Sequence, residues 1–136
     1  MDFNAPLDIA YSAMTAEGTR LKVIAENLAN ADSTGKTPGS EPYRRQLVTF
    51  ADVFDKTIGA KRVKVSGTIQ DQSAFGKKYE PGHPAAGPDG YVLTPNVNPI
   101  TELLDMREAQ RTYDANLNVI DAVKAMVSRT IDLLHG

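Results

Sequence analysis

Read in alternating steps of three and four, the N-terminal segment carries a seam through Leu7, Ala10, Met14, Glu17, Leu21, Ile24, Leu28 and Ala31. A second seam near the other end runs Leu103, Met106, Gln110, Tyr113, Leu117, Ile120, Lys124, Val127, Ile131 and Leu134. Seven of eight positions in the first and eight of ten in the second are apolar. A 3.5-residue period sustained this far asks for helix-on-helix packing rather than a globular core. The predicted fold class is mainly α: an antiparallel, coiled-coil-like pair of long terminal helices with an irregular, partly β middle segment. The predicted organisation is an N-terminal helix within 1–31, a loop-rich middle with short β-elements over 32–97, and a C-terminal helix within 98–136.

Local signals place the ends of these elements. The first helix is predicted to start after Asn4, with Pro6 tolerated in the first turn and Asp8 near the positive end of the dipole. It should run to about Asn30. Gly18, inside it, costs about 1 kcal/mol relative to Ala and is either simply tolerated or marks close approach of another helix. The run from Asp32 to Pro42 is dense in breakers and reads as a loop. Tyr43 to Phe54 regains apolar character as a strand or short helix. Arg62–Val65 alternates and Thr68–Gln70 continues it, which predicts a β-element. Residues 76–95 read as irregular, with a turn at Pro88-Asp89-Gly90 and a short strand at Tyr91–Leu93. Asn98 then caps a second helix with Pro99 at its first position, extending to about Leu134.

Charge changes the picture through its distribution. The net charge of −2 is too small to draw nucleic acid or membrane by bulk electrostatics. Between Lys36 and Gly90, however, nine basic residues face six acidic ones, while the flanks hold six basic and eleven acidic. The distribution reads either as two solvated surfaces or as a basic middle that meets acidic helix faces on neighbouring copies. Absence of cysteine excludes disulfides and thiolate chemistry. The opening residues, MDFNAPLD, are acidic and lack the apolar stretch of a cleaved leader, so any export is expected to leave the chain uncut.

Each helix fixes backbone entropy of about 1–2 kcal/mol per residue, against apolar seam contacts worth at most roughly 1.5–3 kcal/mol each. In a lone helical hairpin every seam side chain stays partly wet, so full order is expected only when other copies or partners cover the seams. Glu17 and Lys124, the one charged residue of each seam, suggest an antiparallel register in which they pair, with Leu7 beside Leu134 and Leu21 beside Ile120. Candidate catalytic features are missing. His83 and His135 are far apart in sequence, no phosphate-binding glycine loop is present, and no aromatic ladder accompanies Arg44-Arg45. Neither a metal, a cofactor, a small-molecule substrate nor nucleic acid is expected.

Two segments carry a family resemblance. Asn27-Leu28-Ala29-Asn30-Ala31-Asp32-Ser33-Thr34 resembles the N-terminal signature of bacterial flagellar rod and hook proteins. Arg107-Glu108-Ala109-Gln110-Arg111-Thr112-Tyr113-Asp114-Ala115-Asn116-Leu117 resembles their C-terminal signature. Pro42-Tyr43-Arg44-Arg45-Gln46, Tyr79-Glu80-Pro81-Gly82-His83-Pro84, and Gly90-Tyr91-Val92-Leu93 with Pro95-Asn96-Val97-Asn98 narrow the likeness to short proximal rod proteins. Leu104, Arg107 and Gln110 depart from the family's usual residues and touch packing detail.

The resemblance implies a structural, non-enzymatic subunit of the basal body, exported through the type III apparatus and assembled in the periplasm. Its terminal helices would line a hollow helical tube that transmits torque. Its implied partners are copies of itself, other rod proteins, the rotor ring base and the export apparatus. The expected interface residues are the seam positions Leu7, Met14, Glu17, Leu21, Ile24, Leu28, Leu103, Met106, Tyr113, Leu117, Ile120, Lys124, Val127, Ile131 and Leu134. Asn27, Asn30 and Asn116 join them, either hydrogen-bonding helix-end or neighbouring-subunit backbone or simply facing solvent. The alternatives are another short proximal rod protein or a helical adaptor that binds partner helices.

Overall fold

In the computed structural model, which describes residues 3–136, the order is α1 (Asn4–Ala29), β1 (Gln46–Asp55), β2 (Ala60–Gln70), β3 (Gly76–Tyr79), β4 (Tyr91–Thr94) and α2 (Pro99–His135). The chain is mainly α, with two small sheets, β1–β2 and β3–β4. It forms two compact units. One holds residues up to Leu21 with Thr49–Gly67 and Arg107–Gly136; the other holds Lys22–Val48 and Thr68–Met106. No helix among the described residues is long and apolar enough to cross a membrane.

In the first unit the helices run antiparallel. Arg20 Nη2 lies 3.5 Å from Glu108 Oε2, and Leu7 shares a hollow with Lys124 and Val127. Numbers therefore fall along α2 as they rise along α1. Ala10 and Ala16 from α1 and Ala109, Ile120 and Val123 from α2 are buried. The hairpin β1–β2 completes this unit. Only four residues join its strands, which forces an antiparallel return. Asp55 Oδ1 accepts the Thr57 amide at 2.8 Å, and Gly59 at φ 64° supplies the left-handed residue of the turn.

The register built on Glu17 and Lys124 is not adopted. Glu17 Oε2 sits 3.6 Å from Arg20 Nη1, and Lys124 forms no ion pair among the described residues. Leu7 lies beside Lys124 instead, about 15 Å along α1 from Glu17 at 1.5 Å per residue. The physical reason is a rotation of α2. Its packed side in this unit runs Ala109, Tyr113, Asn116, Ile120, Val123, Val127, all buried or half-buried. Gln110, Leu117 and Lys124, predicted for the same seam, are exposed one position on. Val123 thus occupies the interior where Lys124 was expected, and the buried Glu17 carboxylate has Arg20, one turn on, as its counter-charge instead.

In the second unit, Val23, Ile24 and Asn27 from the last turns of α1 are buried together with Ala85, Val92 and Glu102. Asn98 caps α2 as expected, its Oδ1 accepting the Ile100 amide at 3.0 Å. Strand β3, which falls in the stretch read as irregular, pairs antiparallel with β4 from Gly76–Thr94 to Tyr79–Tyr91. Gly90 makes that pairing possible. It holds φ at 79°, and a Cβ there would lie 2.7 Å from the Tyr79 ring. Gly18 is the opposite case, with nothing within 4 Å of a Cβ, so no close helix approach occurs at that point within the chain.

These two glycines predict opposite responses in equilibrium urea unfolding. Gly18→Ala should stabilise the isolated chain by about 0.5–1 kcal/mol through helix propensity. Gly90→Ala should destabilise it by about 1–3 kcal/mol through backbone strain and ring displacement.

Candidate functional site

The second unit encloses a polar cluster assembled from segments far apart in sequence. Asn27 is only 1% exposed and Glu102 is fully buried. The Asn27 amide makes four hydrogen bonds, its full capacity. Its Nδ2 donates to the Gln46 carbonyl at 2.9 Å and to Glu102 Oε2 at 3.1 Å. Its Oδ1 accepts the Gln46 amide and the Tyr43 hydroxyl, each at 2.9 Å. One side chain of α1 thereby holds the start of β1 and the first turn of α2. Burial, with the charges of Glu26 and Glu102, raises the Tyr43 phenol above its ordinary value, so it remains a donor.

Arg45 is the counter-charge. Its Nε donates to Glu102 Oε1, and its Nη atoms lie 3.5 Å from Asp71 and 3.2 Å from Asp105. Burial alone would lower the Arg45 value, but the hydrogen bond and charge of Glu102, with Asp71 and Asp105, raise it. The cation is therefore permanent. Asn96 secures the backbone beneath: its Oδ1 accepts the Arg45 amide at 2.7 Å, and its Nδ2 donates to the Asp71 carbonyl at 2.9 Å. Asp71 Oδ1 accepts the Ser73 amide at 2.8 Å. That amide and the Ser73 hydroxyl, opposed by burial and helped by Arg45, hold the Asp71 carboxyl below its usual range. A buried carboxylate without such partners would cost several kcal/mol. Here the acceptors and donors match.

The remaining predicted site residues distribute as follows. Leu7, Met14, Glu17, Leu21 and Leu28 on α1 are half-buried and Ile24 is buried. Asn30 donates to the Glu26 carbonyl at 2.9 Å, and its Oδ1 accepts the Ser33 hydroxyl, so it closes the end of its own helix. Asn116 donates to the Thr112 carbonyl one turn back at 2.9 Å. On α2, Met106, Tyr113 and Val127 are half-buried and Ile120 is buried, whereas Leu103, Leu117, Lys124, Ile131 and Leu134 are exposed. Val119, Met126 and Leu133 are also exposed, on the other side of the packed stripe. An apolar arc this broad exceeds what one partner helix covers.

Sequence reasoning did not anticipate Arg45, Glu102, Asn96 or Asp71 as a cluster. A signal was present, because Asn27, Tyr43–Gln46 and Asn96 each sit in a quoted signature segment. Nothing local says that those segments meet. Among the described residues, no group of three or more His, Cys, Asp or Glu is placed to hold a metal ion.

Two outcomes follow for stability. Arg45→Met should cost about 3–5 kcal/mol by leaving Glu102 buried without its counter-charge, and Arg45→Met/Glu102→Gln should recover much of that in a double-mutant cycle. Because the Asp71 value is lowered on folding, its contribution is complete above its unfolded value of about 3.9 and lost as pH falls through the lower native value. Unfolding titrations should show a shallower acid limb for Asp71→Asn than for the natural chain.

Comparison with known proteins agrees with the signatures. The family model described as Flagella basal body rod protein matches residues 7–35, and that described as Flagellar basal body rod FlgEFG protein C-terminal matches residues 89–133. The flagellar basal-body rod protein FlgC of Agrobacterium fabrum is 50% identical over 133 residues, covering 98% of this chain and 96% of that protein. FlgC of Escherichia coli is 43% identical over 127 residues, covering 93% of each. FlgC of Borreliella burgdorferi is 36% identical over an alignment spanning all of both chains. With signature segments meeting in one polar cluster and likeness running end to end, the chain belongs to the FlgC family of flagellar basal-body rod proteins.

Proposed function

We propose that this chain is a structural subunit of the flagellar basal-body rod, working by assembly and not by turnover. Copies join helically with each other and with other rod proteins into a hollow shaft that carries torque from the rotor ring base outward. The subunit travels through the type III export apparatus and assembles in the periplasm. Its terminal helices form the inner wall and its middle segment the outer part. The interface is the set of seam residues on α1 and α2 together with their exposed flanks.

The observation that carries this reading is the uncovered apolar surface of α2. Leu133 and Leu134 are 84% and 80% exposed, and Ile131, Met126 and Val119 add to them. The first described residues of α1 lie beside Lys124 and Val127, so the last two turns of α2 run on past them. An amphipathic helix end with that composition gains roughly 1.5–3 kcal/mol per large side chain when another molecule covers it. Lone exposed leucines need no explanation; a cluster on one helix end does.

The test is complementation of a flagellated bacterium that lacks its own FlgC. The natural chain should restore hook-bearing basal bodies and swarming. Leu133→Asp/Leu134→Asp should change the stability of the isolated chain by no more than about 0.5 kcal/mol, since both positions are exposed. It should lower the yield of assembled basal bodies by at least roughly tenfold, the effect of losing one well-buried contact. Wild-type swarming by the double variant would remove the basis of the reading.

A further inference from the structure

The first unit contains a groove that the helix pair does not use. It has a volume of about 590 Å³ and lies between α1 and the tip of the β1–β2 hairpin. Its α1 wall is small and nearly flat: Ser12, Ala16 and Thr19 share one helical face. The hairpin wall is apolar, with Val53 and Phe54 largely exposed and Val63 and Val65 half-buried. Lys56 and Lys64 stand on the lip, and neither makes an ion pair among the described residues. Arg62, by contrast, is held by Asp55 at 2.6 Å and Asp8 at 3.7 Å. The groove therefore offers an apolar trough flanked by two free cations.

One exposed segment of the same chain has the matching pattern. Between Arg111 and Lys124 the only charged residues of α2 are Asp114 and Asp121. They bracket Leu117 at three and four residues, so all three share a helix face. All three are exposed, and neither aspartate has an ion-pair partner among the described residues. Seven residues of helix separate the carboxylates by about 10.5 Å. Lys64 lies four residues into β2, about 13 Å from its start beside the turn that holds Lys56. Flexible lysine side chains span the difference. The opposite flank of α2, around Val119 and Met126, carries no aspartate at these spacings.

We infer that the groove between α1 and the hairpin tip receives the Asp114–Leu117–Asp121 face of α2 from a second copy of this chain. Leu117 enters the trough, and Asp114 and Asp121 meet Lys56 and Lys64 on its lip. The two surfaces differ, so each copy keeps a free groove and a free helix face after joining. A contact of that kind is heterologous and open-ended, and it propagates instead of closing a dimer. The inference rests on the rod reading and specifies which surfaces of adjacent copies touch.

Because the chain has no cysteine, paired substitutions give a clean readout. Val63→Cys and Leu117→Cys are introduced separately into two differently tagged copies of the full chain. The copies are co-expressed in the complemented strain, and basal bodies are oxidised and resolved on a non-reducing gel. A mixed-tag dimer well above either single-cysteine control is the expected result. Lys64→Glu and Asp121→Lys should each lower its yield roughly 2–5-fold, and combining them should restore it, as expected for an exposed charge pair. Basal bodies that form normally but give no mixed dimer, or that join the groove cysteine to a different rod protein, would overturn the copy-to-copy contact and leave the rod reading intact. Failure of the natural chain to restore basal bodies would overturn both. Misfolding by a hairpin variant is recognised by loss of the charge-swap rescue, and a second pair, Val65→Cys with Asp121→Cys, then decides between contact and no contact.

Discussion

A buried carboxylate is stable only when the surrounding chain brings enough donors to it, and Glu102 imposes that condition on the whole second unit. Arg45 supplies the charge and Asn27 supplies an amide whose other three hydrogen bonds are already committed to Gln46 and Tyr43. Moving any one of these elements would strand a polar group in a dry site. The end of α1, the start of β1 and the first turn of α2 are consequently specified against one another by hydrogen bonds with direction. Apolar packing alone would allow them to slide or rotate at little cost, since hydrophobic contact has no preferred angle.

That specification orients the first turns of α2. With Glu102 buried, Met106 one turn on lies half-buried on the same side of the helix. Leu103, next to Glu102, is turned outward and exposed. A buried ionic cluster seldom adds much net stability compared with an apolar core of equal volume. Its value here is orientation. It aims apolar surface away from the subunit, where a protein that works in an assembly needs it.

The division of the chain between order and readiness to assemble follows from the same facts. In the first unit the buried residues of α1 and α2 include small ones, Ala10 on α1 and Ala109 on α2. Larger side chains lie on the flanks and on the last turns of α2. Flanks that remain wet in a single copy suit a rod subunit, which has neighbouring subunits to cover them.

Much of this was legible in the residues. The two helices, the Asn98 cap, the alternating hairpin strand and the family signatures are local patterns, and local patterns are governed by capping, propensity and side-chain period. Strand β3 was not legible, because Gly76-Lys77-Lys78-Tyr79 is polar and exposed throughout and becomes a strand only by pairing with Tyr91–Thr94. Nor was the packed stripe of α2. A heptad leaves a choice between adjacent positions, and counting apolar residues favours Leu103 and Leu117 over Glu102 and Asn116. That count treats a charge as unfit for the interior. Whether it is fit depends on Arg45 and Asn27, 57 and 75 residues away, so the choice was made by tertiary contact and by no feature of the helix itself.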